Sequence, residues 1–139
     1  MDMLNMKLSL NDNCIIEQPN LHDAEMLAID MQKVNSEELI LTLQTVDGTK
    51  IRIFAYGVSF LRSQNFTTQN VVFQVHLLTG NLGISKFENF ADTFSEYPNT
   101  FLDDLKKGLA DGRTSLLNIE ASVGCELTLL CSRIELVKE

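Results

Sequence analysis

Tryptophan is missing from this chain of 139 residues, and proline, histidine and cysteine are scarce, at two, two and three. Each shortage excludes something. With two histidines and no clustered cysteines, no recognisable zinc motif can be written, so neither metal nor cofactor is expected. Cys14, Cys125 and Cys131 are an odd count, which argues for reduced thiols used as small core hydrophobes rather than for a disulfide framework. No apolar run approaches the roughly 20 residues of a membrane helix. The beginning, MDMLNMKLSLNDNC, has an acid at position 2 and no apolar stretch of signal-peptide type, and neither end carries a lipidation motif. The expected location is cytoplasmic.

Catalytic signatures are also missing. There is no G-x-S-x-G, H-E-x-x-H, Walker sequence or G-x-G-x-x-G. Gly80-Asn81-Leu82-Gly83 reads as a turn after a strand, because a phosphate cradle would need Lys-Ser/Thr at its far end. His76, on an apolar stretch between Val75 and Leu77, reads as a structural histidine. The expectation is a chain that is not an enzyme.

Charge is unevenly placed. Residues 50–86 hold no acid and carry +4, whereas residues 87–112 hold six carboxylates and carry −4; the whole chain is −8. An excess of acid opposes approach to phosphate backbones, so direct nucleic-acid binding is not expected. It favours a basic protein surface instead.

What is present is ordinary globular composition, 45% apolar and 22% charged, in a length that suits a single α+β domain over residues 1–139. The strand signals dominate up to residue 78. Leu39, Leu41 and Leu43 alternate with Ile40, Thr42 and Gln44, and Ile51, Ile53 and Ala55 alternate with Arg52, Phe54 and Tyr56. A three-residue loop, Asp47-Gly48-Thr49, gathers the apolar residues on one face by pairing Leu43 with Ile53 and Leu41 with Ala55. Residues 21–34 fit either a capped helix or a strand; the strand, followed by a turn at Asn35-Ser36-Glu37, is preferred. Residues 24–78 then form a β-meander. Within it VVFQVHLL, Val71 to Leu78, is the mark of a central strand covered on both faces.

The period then changes. Ser85-Lys86-Phe87-Glu88 fits a capping box, and Phe87, Phe90, Ala91, Phe94 and Tyr97 recur at helical spacing up to the break at Pro98. Asn99 is placed to cap a second helix ending at Gly112. Two further strands, about Leu116–Ser122 and Cys125–Val137, turn at Val123-Gly124, with a bulge or bend near Ser132-Arg133. The fold class expected is therefore α+β: a curved antiparallel sheet, meander plus C-terminal hairpin, with one or two short helices on one face.

On an α-helix Glu88, Asp92 and Glu96 would form one solvent-facing stripe opposite the phenylalanines, extended by Asp103, Asp104 and Asp111. Charge runs of this kind usually serve as solvated surface; the functional reading is a face for a basic partner. Arg52 with Phe54 and Tyr56 has the composition of a binding patch, but that of an ordinary sheet face under a helix is the preferred reading.

Through His22-Asp23, Gly57-Val58, Asn65-Phe66 and Gln69-Asn70-Val71, about fifty residues of the chain resemble small uncharacterised bacterial proteins with a meander of this kind. In size, acidity and lack of catalytic residues the whole is similar to the immunity proteins that neutralise bacterial toxins. That likeness implies a non-enzymatic inhibitor and assigns no residues. The expected function is protein binding, with Glu88, Asp92, Glu96, Asp103 and Asp104 meeting a basic partner. The alternatives are a small-ligand domain with an apolar pocket lined by Phe60, Phe66, Phe73 or Phe87, and a homo-oligomeric subunit using an unpaired edge strand or sheet face.

Overall fold

The computed structural model describes residues 4–32 and 37–139. Its strands are β1 (Leu4–Asn5), β2 (Ser9–Leu10), β3 (Ile16–Gln18), β4 (Glu25–Gln32), β5 (Glu38–Gln44), β6 (Lys50–Tyr56), β7 (Phe60–Gln64), β8 (Val71–Leu78), β9 (Ser115–Val123), β10 (Glu126–Cys131) and β11 (Arg133–Lys138). The helices, α1 (Gly80–Lys86), a 3-10 segment (Phe87–Phe94) and α2 (Asn99–Asp111), stand between β8 and β9. The fold is α+β with an antiparallel, strongly curved sheet. Among the described residues no helix is long and apolar enough to cross a membrane.

The curvature runs to closure. β6 and β7 are one long strand interrupted at Gly57-Val58-Ser59, and β10 and β11 are another, interrupted at Ser132. The two run antiparallel throughout, Tyr56 opposite Arg133 on one side of the bends and Phe60 opposite Leu130 on the other. β11 thus reaches the meander through β6, while β10 reaches β9 and β8. Backbone bonds from Met26 N to Asn70 O and from Val72 N to Ala24 O join β8 to β4. Closing the ring in this way removes most free strand edges. β2 and β3 form a separate small ribbon.

Alternation decides which residues fill the barrel. Leu39, Leu41, Leu43, Ile51, Ile53 and Ala55 project inward with Val75, Leu117, Ile119, Leu127 and Leu129, all essentially inaccessible. Cys125 and Cys131 join them as the spacing predicts. A second core lies outside the barrel wall, where Leu78, Leu116 and Leu130 meet Phe87, Phe94, Leu105 and Leu109 of the helical layer, together with Cys14. Burial raises all three thiols, Cys131 to about 12, so each is held protonated.

Several expectations need correction. The β5–β6 loop has three residues, but they are Val46-Asp47-Gly48; Leu43 faces Ile51 and Leu41 faces Ile53. The shift is two residues, so every side chain keeps its expected face. Asp47 decides it. Its carboxylate accepts from Thr49 N at 3.1 Å and Thr45 Oγ1 at 2.5 Å, and Gly48 follows at φ +89°. Those hydroxyl and amide bonds lower the Asp47 carboxyl to about 2.

Residues 25–32 are a strand, whereas 21–24 are a turn that leads into it; residues 33–36, with Asn35-Ser36 of the expected turn, lie outside the described residues. The meander ends at β6, since β7 crosses to β10 and β8 returns to β4. β8 itself is enclosed at its C-terminal end, whereas Phe73 stays 42% exposed. Gly80-Asn81-Leu82-Gly83 is the start of α1, not a turn. A Cβ at Gly83 would lie 2.9 Å from the Leu78 carbonyl carbon, so glycine is what lets α1 sit on the end of β8. Ser85 and Lys86 therefore end a helix instead of capping one. Phe87–Phe94 is 3-10, matching the three-residue spacing of Phe87 and Phe90. Pro98 is the N-cap of α2 and Asn99 its first residue; Gly112 closes it as expected.

Candidate functional site

The outward face of four neighbouring strands is organised in rows. Phe60, Leu130, Leu116 and Leu78 stand directly opposite one another across β7, β10, β9 and β8, and the helical layer covers them. Two residues further along each strand, the next row is Arg62, Thr128, Asn118 and His76. One change of row takes the outward face from apolar to polar, with Arg62 exposed, Asn118 and His76 half-buried and Thr128 buried.

The polar row is internally bonded. Asn118 Nδ2 donates to Thr128 Oγ1 at 2.9 Å, and Thr128 is buried. With the Gln64 amide oxygen turned toward Arg62, it accepts from Nε at 3.2 Å and Nη2 at 2.8 Å. Beyond the row, Gln74 Nε2 donates to Glu120 Oε2 at 2.7 Å. His76 packs edge-on to Phe90, ring centroids 5.1 Å apart, and bridges to Ile15. Its buried Nδ1 has no hydrogen-bond partner, and burial pulls its pKa below the usual imidazole value against the opposing charge of Glu120. The ring thus packs against an aromatic edge with one nitrogen left unsatisfied.

Two adjoining clefts open along this rim. One, of about 300 Å³, lies over Arg62, Gln64, Asn118, Glu126 and Thr128; the other, of about 410 Å³, lies between Phe60–Arg62 and Ser95–Tyr97. Both share Arg62, Asp92 and Thr93. Side chains of this kind can hold a partner by charge and hydrogen bonding. Among the described residues no group of three or more His, Cys, Asp and Glu is placed for a metal ion.

The acidic residues separate in space. Asp92 lines both clefts and Glu96 the second, whereas Glu88 lines neither. A 3-10 turn of three residues rotates positions four apart away from each other, so the expected single stripe does not form. Asp103 and Asp104 lie exposed on α2. All five are exposed, and among the described residues none has a cation within ion-pair distance; the ion pairs His22–Asp23, Arg52–Glu139, Arg113–Asp111 and Arg133–Glu135 lie elsewhere. Lys106 instead sits over the Phe87 ring at 5.7 Å. Asp111 is bonded to Arg113, which lowers its carboxyl.

Arg52, Phe54 and Tyr56 are half-buried on the outward face of β6 and belong to neither core, the one under the helical layer included. Arg52 pairs with Glu139 at 2.8 Å, and Arg133 stacks over Tyr56 at 4.1 Å. The four phenylalanines named for a ligand pocket are dispersed. Phe87 is core, Phe60 packs on Phe94 at 4.9 Å, Phe73 contacts His22, and Phe66 is exposed.

Sequence reasoning missed the polar row. Its signal was a polar residue two places from the outward leucine of each strand: Asn118 in LLNIE, Thr128 in ELTLL, His76 in QVHLL. Only the register shows that they align. Comparison of the chain with family models, with curated proteins and with solved structures finds no match.

Proposed function

We propose that this protein is a non-enzymatic protein-binding module that receives a basic partner surface on its helical side, in the manner of an inhibitor neutralising a basic toxin. The observation that carries the reading is the set of exposed carboxylates Glu88, Asp92, Glu96, Asp103 and Asp104, none paired to a cation among the described residues. Exposed carboxylates without cation partners leave a negative field on this side that a basic partner would neutralise on binding. Arg62, Gln64, Thr93 and Thr128 at the cleft rim add hydrogen-bonding groups, and Phe60 and Tyr97 add aromatic area suited to an anchor.

Affinity capture of the tagged protein from cell extract at low salt, with mass spectrometry, would identify the partner, and the triple variant Glu88→Lys, Asp92→Lys, Glu96→Lys tests the mechanism. Because all three are exposed, the variant should keep its thermal midpoint within a few degrees while association slows by about tenfold or more at low salt. An unchanged association rate with the captured partner would remove these acids from the mechanism.

A further inference from the structure

Among the described residues, β7 leaves an opening in the hydrogen-bonded wall of the barrel. β7 pairs with β10 along one edge, and it is the last strand of the sheet: among the described residues no strand pairs with its other edge. Two clefts adjoin the strand. On one side is the 410 Å³ cleft already described, with Asp92, Glu96 and Tyr97 on its far wall; on the other is a cleft of about 210 Å³ between Met31, Glu37 and β7. Both clefts are lined by Phe60 and Leu61, so both adjoin β7. An unpaired edge presents main-chain donors and acceptors at strand spacing, which is the template that added strands use. The walls bear carboxylates: Asp92 and Glu96 on one side, Glu37 on the other, against Arg62, whose guanidinium is engaged by Gln64.

We infer that the partner is received as an added strand: an extended basic segment pairs with the open edge of β7, the cationic side chains of one face reaching Asp92 and Glu96. This rests on the basic-partner reading above and specifies how the partner docks. The edge supplies affinity that is indifferent to side chains, and the carboxylates select for charge.

Three nine-residue probes separate the two contributions: a peptide alternating Lys and Val, its Glu-for-Lys counterpart, and a copy of the Lys peptide N-methylated at its five central residues. Methylation keeps charge and side chains while removing strand donors. The Lys peptide should bind and slow hydrogen exchange of the amides of residues 60–64. The Glu peptide should not bind, and the methylated copy should bind at least about tenfold more weakly. The double variant Asp92→Asn, Glu96→Gln, altering exposed side chains only, should weaken the Lys peptide several-fold with the fold intact.

If the methylated copy binds as well as its parent, edge pairing is overturned while the acidic-surface reading stands. If the Lys and Glu peptides bind alike, the basic occupant is overturned together with that reading. No binding at millimolar peptide overturns the proposal. So does protection of residues 60–64 in the free protein that fades on dilution, which would assign the edge to a second copy of the chain.

Discussion

Asn70 is 3% exposed and uses its amide at both ends. Its Oδ1 accepts from Thr67 N at 2.9 Å and Cys125 N at 3.0 Å, and its Nδ2 donates to Thr67 O at 2.8 Å. One side chain thereby folds the turn before β8 and ties it to the β9–β10 hairpin, 55 residues away in sequence. Asn70→Ala would leave the buried Cys125 N–H unsatisfied and should cost about 1–3 kcal/mol, measured as a lower denaturant midpoint with unchanged slope. A loss under about 0.5 kcal/mol would mean that the clamp is dispensable. The sequence marks Asn70 as a turn residue through its neighbours Thr67, Thr68 and Gln69. Nothing in it reveals the Cys125 amide, because that partner is supplied by a distant hairpin.

Among elements, the two long strands matter most, and each must bend to close the barrel. They bend at the same place: Ser132 N donates to Tyr56 O at 2.8 Å, and its Oγ donates to the same oxygen at 2.9 Å. Gly57 stands there at φ +64°, where an added Cβ would lie 2.5 Å from Ser132 Oγ and 3.2 Å from Ser132 Cβ. Gly57→Ala therefore combines left-handed backbone strain with a clash and should destabilise by about 2 kcal/mol or more. In the Ser132→Ala background the clash with Oγ disappears and the strain remains, so the same substitution should cost measurably less. Equal costs in both backgrounds would show that the close approach contributes nothing. The break in phase between Cys131 and Ile134 is visible as a sequence pattern, and it placed this bend correctly. The 3-10 segment was harder to read. Its phenylalanines satisfy both three- and four-residue spacings, and docking of Phe87 and Phe94 on the strand row of Leu78, Leu116 and Leu130 accompanies the tighter turn.

On the scale of the molecule the two cores share one wall, β8–β9–β10, with Leu117 and Leu129 facing inward and Leu116 and Leu130 outward. Loss of either core exposes the other, so unfolding should be cooperative. The cysteines report on this, since Cys125 and Cys131 lie inside the barrel and Cys14 lies in the outer core. Thiol labelling at pH 7 should be negligible for all three in the native protein and should rise at one shared denaturant midpoint. Separate midpoints for Cys14 and the barrel pair would show that the helical layer detaches on its own.

Much of the architecture follows from local pattern alone. Alternation in residues 38–56 and 115–136 sorts inward from outward residues, and that sorting survives the two-residue register error because side-chain direction depends on parity. Likewise, an acid-free stretch and an acid-rich helical region are properties of the chain itself. What tertiary structure decided is adjacency. Closure of the sheet, the alignment of Arg62, Thr128, Asn118 and His76, the separation of Glu88 from Asp92 and Glu96, and the open edge of β7 all depend on which strands become neighbours. That choice is made by burial of the whole apolar set at once, a collective term that no local segment encodes.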